Sequence, residues 1–319
     1  MTGLRCFSKI TCFATLFLIF VGGMVTSTGS GLSVPDWPLS YGSLFPPMVG
    51  GVFYEHGHRM VASVVGFCIL IQAIWIGLKE KRRWVKRLGF AALILVICQG
   101  VLGGITVLFL LPTAVSVAHG VLAQTFFIIT ILIAYAYSKE REERPVNTGI
   151  KNNLITCQLW LVTLIYIQLI LGAVMRHTHS GLAVPDFPTM GGLWWPTLDN
   201  HMLNSINHAR FDLDLEPVQK WQVATHLLHR LGAVCILIVL GVINVLLLRK
   251  GSPSKNLVRS VTVMDILLVL QICLGIMTVL TLKEPHLTSL HVMTGAGLLG
   301  YATLTLLRMI PKELKSWNA

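Results

Sequence analysis

Ser30-Gly-Leu-Ser-Val-Pro-Asp-Trp-Pro38 and Ser180-Gly-Leu-Ala-Val-Pro-Asp-Phe-Pro188 are two copies of one nonapeptide, 150 residues apart. Seven of the nine positions are identical and the other two are conservative, so the chain reads as a duplicated unit. Working outward, Gly22-Gly23-Met24-Val25 leads into the first copy as Leu171-Gly172-Ala173-Val174 leads into the second. After the loops, His58-Arg59 answers His229-Arg230 at an offset of 171, because the second loop is longer. Further on, Gln99, Leu102-Gly103 and Thr106-Val107-Leu108 answer Gln271, Leu274-Gly275 and Thr278-Val279-Leu280 at an offset of 172, which carries His119 onto His291.

Hydrophobic residues make up 54% of the 319 and charged residues 12%, and the apolar residues come in long blocks. That is the profile of a polytopic membrane protein. Stretches long enough to cross a bilayer lie near 10–28, 57–78, 88–110, 114–137, 154–175, 222–248, 258–281 and 287–309. The expected fold class is therefore an all-α integral membrane protein, with eight transmembrane helices as two four-helix bundles. Four spans per copy return the chain to the same side, so the copies are parallel repeats related by a pseudo-twofold along the membrane normal. The expected division is an N-terminal half over 1–138, a polar linker over 139–153 broken by Pro145 and Gly149, and a C-terminal half over 154–319.

The net charge of +11 does not call for a nucleic-acid partner, because 19 of the 25 Lys and Arg fall on one side of these spans. The positive-inside rule then puts both termini in the cytoplasm and the long first loop of each half outside. All seven cysteines fall in or beside helices rather than in the outer loops, so no structural disulfide is expected. The first span is read as retained rather than as a cleaved signal. The first outer loop, 29–56, has no Lys or Arg, four prolines and several aromatics, a stiff composition suited to an apolar face at the membrane surface. The second, 176–221, is about twenty residues longer and rich in His, Asn and Asp. The repeated nonapeptide is expected to cap each bundle as a rigid turn, to close over a ligand, or to do both.

Four of the eleven histidines, His58, His119, His229 and His291, hold equivalent places in the two copies. Ionisable residues inside membrane spans are costly and mark function. Imidazole is also the usual nitrogen ligand of haem iron, and one histidine from each of two facing helices can clamp a porphyrin. Zinc is less suited, since no Cys or carboxylate set completes a tetrahedron in each half, although Glu55 keeps that question open in the first. Arg59 and Arg230, next to two of the candidate ligands, are suited to pairing with haem propionates or to reaching lipid phosphate. Glu55 stands three residues before His58, where the second half has His226 before His229. A carboxylate beside one site only suggests proton handling there, against the plainer role of an acid at a helix start.

Together, the duplicated eight-span layout, Glu55-x-x-His58, His229-Arg230, His119 and His291 resemble the haem A synthase family along nearly the whole chain. The resemblance implies oxidation of the C8 methyl of haem O to the formyl group of haem A, through successive steps, for cytochrome oxidase assembly. It implies a substrate site in the first half with His58, His119 and Glu55 as catalytic residues, and a haem b in the second half on His229 and His291. All four histidines are then iron ligands, with Arg59 and Arg230 as cofactor-binding groups. The expected partners are haem O and membrane lipid, with a haem O synthase, oxidase assembly factors and a homo-oligomeric copy left open, and with no Arg- and Ser-rich leader in view the expected setting is a bacterial inner membrane. Some members carry a cysteine pair in the first outer loop; none lies between Thr26 and Glu55, so that relay is unavailable here. The main rival is a dihaem electron carrier resembling the cytochrome b561 type, which leaves Glu55 and the unequal loops without a purpose. A transporter with midplane sites ranks below it, because the histidines lie toward the outer side.

Overall fold

The computed structural model describes residues 2–143, 150, 152–249 and 254–310. The expected helix breakers Pro145 and Gly149 lie outside the described residues. The helices are α1 (Thr2–Ser27), α2 (Gly51–Lys79), α3 (Arg83–Leu108), α4 (Thr113–Ala136), α5 (Lys139–Glu142), α6 (Asn152–His177), α7 (Asn200–Phe211), α8 (Lys220–Leu248), α9 (Lys255–Leu280) and α10 (Pro285–Met309). Eight of them are long and apolar enough to cross a membrane, and they match the eight expected spans. All begin earlier than hydropathy suggested, most of all α1, at Thr2 rather than near 10, and α2, at Gly51 rather than near 57. In both, polar residues are absorbed into the helix because its own hydrogen bonds and neighbouring helices satisfy them. Ser8, Thr11 and Thr15 of α1, for example, each donate to the carbonyl four residues back.

The first four long helices pack as neighbours in sequence, with α1 also against α4. Helices α6, α8, α9 and α10 repeat that pattern. Each half has its own apolar core, around Val65, Ile69, Phe126 and Ile133 in the first and Leu161, Ile243, Met264 and Leu299 in the second. Polar ties cross inside each half: Gln72 Nε2 donates to Ser8 Oγ at 2.8 Å, and Gln158 Nε2 to the Ala302 carbonyl at 2.8 Å. In a medium without water such bonds are the alternative to an unsatisfied amide.

Helices α1, α4, α6 and α10 join the halves. At this seam Phe127, Ile131 and Ala296 form a buried cluster. A Cβ at Gly300 would lie 2.6 Å from Ile131 Cδ1 and 2.8 Å from Phe127 Cε1, so only glycine admits α4 this close to α10. Thr125 Oγ1 and Tyr166 OH, 2.6 Å apart, tie α4 to α6.

The second outer loop contains a helix that the sequence reading did not anticipate. Asp199 caps α7 by accepting from the Met202 amide at 2.8 Å. Met202 and Ile206 bury themselves against Ala183, Val184, Met190, Val218 and Val223, giving the second loop a small core of its own. The Asp before a hydrophobic pair at i and i+4 was the available signal, diluted by the surrounding His and Asn.

Candidate functional site

The two nonapeptides fold alike. Trp37-Pro38 and Phe187-Pro188 are both cis peptides, and each is followed by a tight turn closed by Ser40–Ser43 or Met190–Leu193 pairing. The turn is built on the motif aspartate: Asp36 accepts from the Tyr41 and Gly42 amides at 2.7 and 2.8 Å, and Asp186 from the Gly191 and Gly192 amides at 2.8 and 3.0 Å. The Gly42 amide is the main cause holding the Asp36 carboxyl below its usual range, with Tyr41 adding to it against some burial. At Asp186 burial works upward, but bonds from Thr189, Gly192 and Gly191 outweigh it and the carboxyl is again lowered.

Each turn is then clamped to the helix that carries the next histidine. Arg59 Nη1 donates to the carbonyls of Asp36 and Leu39 at 2.8 and 2.7 Å, and Nη2 reaches the Val34 carbonyl at 3.5 Å. Arg230 repeats this with the carbonyls of Asp186 (2.6 Å), Thr189 (2.9 Å) and Val184 (3.5 Å), and its guanidinium lies over the Phe187 ring. The guanidinium groups expected to face propionates thus hold the repeated loops in place through backbone oxygens.

Glu55 is buried, with 4% of its side chain exposed, and both oxygens are engaged. Oε1 accepts from Arg59 Nη2 at 2.6 Å and Oε2 from the Val34 amide at 2.8 Å. This is not a solvated acid at a helix start: α2 has already run one turn, and Glu55 and His58 share a face. In the second half the Val184 amide points at His226 Nδ1, 3.4 Å away. Val34 and Val184 are the same motif position, so Glu55 and His226 receive the same amide with different chemistry. His56, next to Glu55, is also buried, and its Nδ1 lies 2.8 Å from Ser40 Oγ.

Behind these caps stand the four histidines. His58 and His119 are within electrostatic reach of each other, as are His229 and His291. Every one of the four rings rests on a glycine of a neighbouring helix. A Cβ would come to 3.1 Å from His58 Cε1 at Gly22, 3.6 Å from His119 Cε1 at Gly103, 3.4 Å from His229 Cε1 at Gly172 and 2.9 Å from His291 Cε1 at Gly275. The Gly22 and Gly172 contacts correct the alignment before the motif by one residue: Gly22 matches Gly172, and Gly23 matches Ala173. Thr28 and Thr178 agree, each pairing with the following Ser30 or Ser180 at 2.8 Å.

The ring nitrogens are sparsely used. Nδ1 of His58, His119 and His229 is buried with no hydrogen-bond partner among the described residues. His291 Nδ1 lies 3.1 Å from the Gln271 carbonyl, which can only accept, so in the neutral ring Nε2 carries the lone pair. That is the usual arrangement behind a metal-bound imidazole. Among the described residues no three His, Cys, Asp or Glu side chains gather into a metal site, so each half offers a pair of imidazoles rather than a tetrahedral set. His201 and His208 sit apart from these pairs, on α7. His177, at the end of α6, comes within electrostatic reach of His119 across the seam.

The family model described as cytochrome oxidase assembly protein, COX15-CtaA, matches residues 5–51 and 49–303. The chain belongs to this family. It is similar to the heme A synthase of Halalkalibacterium halodurans, with 28% identity over 98% of each chain. It is also similar to the heme A synthase of Alkalihalophilus pseudofirmus, with 28% identity over 96% of this chain and 98% of that one. The heme A synthase of Bacillus pumilus is 33% identical over 58% of this chain and 62% of its own. Family membership therefore spans both halves, including all four histidines and both motif copies.

Proposed function

We propose that the protein is a multi-pass membrane oxidoreductase that converts haem O to haem A for cytochrome oxidase assembly. Its family and its full-length similarity to heme A synthases support this reading over a plain electron carrier. The observation that carries it within the chain is the unequal pair Glu55 and His226, held by the same motif amide in two otherwise matching sites.

The first half, within 1–138, takes the substrate. His58 and His119 orient haem O between α2 and α4, and Gly22 and Gly103 leave room for their rings. With water as the source of the oxygen atom and an external electron acceptor as oxidant, oxidation of the methyl to a formyl group releases protons, and Glu55 is the carboxylate one helical turn from His58 that can take them. Arg59 pairs with that carboxylate, and the Val34 amide fixes its direction. The second half, within 154–319, would hold haem b on His229 and His291, with Arg230 fixing the cap over them. The unpartnered Nδ1 of His229, the glycine rests and the Gln271 carbonyl behind His291 fit that group, with the Gln271 amide, 3.4 Å from His291 Nε2, having to give way. Bound there, haem b supplies one-electron transfer. The two halves stand as parallel repeats about a pseudo-twofold, with the linker 139–153 between them.

The excess of Lys and Arg at one set of span ends supports a reading with both termini in the cytoplasm of a bacterial cell and the caps and haem sites toward the outer face. A haem O synthase, assembly factors and a second copy of the chain are partners consistent with that setting.

The test is co-expression with a haem O synthase in a host that makes no haem A. Extracted haems should then include haem A; none, despite stable membrane expression, would defeat the enzymatic reading.

A further inference from the structure

The clamps on the two caps leave the acidic side chains of a tetrapyrrole without Arg59 and Arg230 as their obvious partners. A second set of cations lies nearby, and it occurs in one half only. Lys283 follows α9 in left-handed backbone, with φ of 66°, and its amide donates to the Thr278 carbonyl at 2.8 Å. Leu111 is its counterpart after α3, with φ of 58° and the same bond to the Thr106 carbonyl at 2.7 Å. Both side chains lie over the motif glycine: a Cβ at Gly31 would meet Leu111 Cδ1 at 3.4 Å, and one at Gly181 would meet Lys283 Cδ at 3.8 Å. One backbone position thus presents an alkyl group in the first half and an ammonium in the second.

Arg176 strengthens the contrast, since its counterpart in the corrected alignment is Thr26. It stands at the end of α6 and donates through Nη2 to the Gly23 carbonyl and to Ser27 Oγ, the latter at 2.8 Å. Both acceptors are neutral. Arg176 acts electrostatically on Lys283 and on His291. Partial desolvation of an otherwise exposed side chain, then the charges of Arg176 and Arg210, push the Lys283 ammonium below its ordinary value. Arg210 has Glu216 as its own counter-charge and spends its donors on the Glu216 and Leu182 carbonyls. Glu284, adjacent to Lys283, is turned to the start of α10, accepting from the Leu287 amide at 2.7 Å. Among the described residues neither Arg176 nor Lys283 is in a salt bridge. Lys283 is exposed and Arg176 half-buried, and with no carboxylate paired to either among the described residues both stay open to an anion.

We propose that Arg176 and Lys283 form a carboxylate receptor at the loop end of the second half, beside His291, and that it takes a propionate side chain of the haem held there. The proposal rests on the reading that His229 and His291 bind haem. It makes the second site selective for the free acid of the macrocycle, while the first half, with Thr26 and Leu111, lacks this pair.

The experiment uses the full chain in detergent, prepared without haem, in a His58→Ala background so that the second site is read. It is titrated with protohaem and with its dimethyl ester, following the low-spin absorption band. The diacid should bind about tenfold or more tighter than the diester, the range of one charge-assisted bond. Lys283→Leu, which installs the first half's own residue, should remove most of that preference, as should Arg176→Gln, with Arg176→Lys restoring part of it. If Arg176→Gln loosens the contact with α1, Lys283→Leu still decides. A preference absent from the parent, or unchanged by Lys283→Leu, overturns the receptor and leaves these cations to lipid phosphate. Equal binding after His291→Ala would instead overturn the haem site on which the proposal rests.

Discussion

The first and second caps use one scaffold to different ends. In both, a motif aspartate builds the turn, a histidine-flanking arginine clamps it through carbonyls, and a valine amide points at the residue three before the first histidine. What differs is charge. The first cap closes on a buried Glu55–Arg59 pair and has Leu111 over its motif glycine, whereas the second closes on His226 and has Lys283. The duplication preserved the backbone solution and left the chemistry to a handful of side chains. Under the proposed roles, the proton acceptor would serve the half that oxidises, and the cations without counter-charge the half that would retain an anionic cofactor.

The sharpest way to break this comparison is to remove ligands from one half at a time. His229→Ala or His291→Ala should abolish the low-spin haem b spectrum of the purified protein, while His58→Ala should spare it and abolish haem A formation. Equal spectral loss in both halves would erase the distinction. Glu55→Gln comes next: it keeps an acceptor for the Val34 amide but cannot carry charge. Haem A formation in co-expressing cells should fall by about 10²-fold or more, with haem b content unchanged. Full activity in that variant would make Glu55 a structural partner of Arg59 only.

The clamps give a smaller, graded contrast. Arg59→Ala leaves a buried carboxylate without its cation and should cost about 3–5 kcal/mol, whereas Arg230→Ala loses bonds to carbonyls and the contact with the Phe187 ring but orphans no buried carboxylate, at about 1.5–3 kcal/mol. Thermal unfolding in detergent should rank them in that order, and a reversed order would argue against the charge pair as the first cap's distinguishing feature. Acid should loosen both turns, because Asp36 and Asp186 are lowered in the folded protein. Their contribution is present above the usual aspartate range and is lost as pH falls through the lowered values. Proteolysis of the outer loops should therefore accelerate below about pH 4. Asp199→Ala, removing the α7 cap, should cost about 1 kcal/mol and expose the second loop alone to protease.

Much of this was legible before any coordinates. The eight spans follow from hydropathy, because a bilayer demands about 20 apolar residues per crossing. The pairing of His58 with His229 and His119 with His291 follows from the repeat, since duplicated segments fold alike. The early start of α2, by contrast, was hidden behind Glu55, His56 and His58, which lower local hydropathy although the helix buries two of them. Helix α7 was hidden because its small core is completed by residues distant in sequence, from Ala183 to Val223.

The sequence by itself therefore determined that this is a duplicated eight-span membrane protein with one imidazole pair per half and a carboxylate in one half only. Composition and repetition are properties of the chain, and a lipid solvent leaves few ways to satisfy them. Only the tertiary structure decided where the charges are spent. It committed Arg59 and Arg230 to loop carbonyls, turned Glu55 and His226 toward the same motif amide, and set Arg176 of α6 and Lys283 of the turn after α9 within electrostatic reach of each other. Hydrogen-bond partners are set by distance and direction in space, and those are fixed only once the helices have packed.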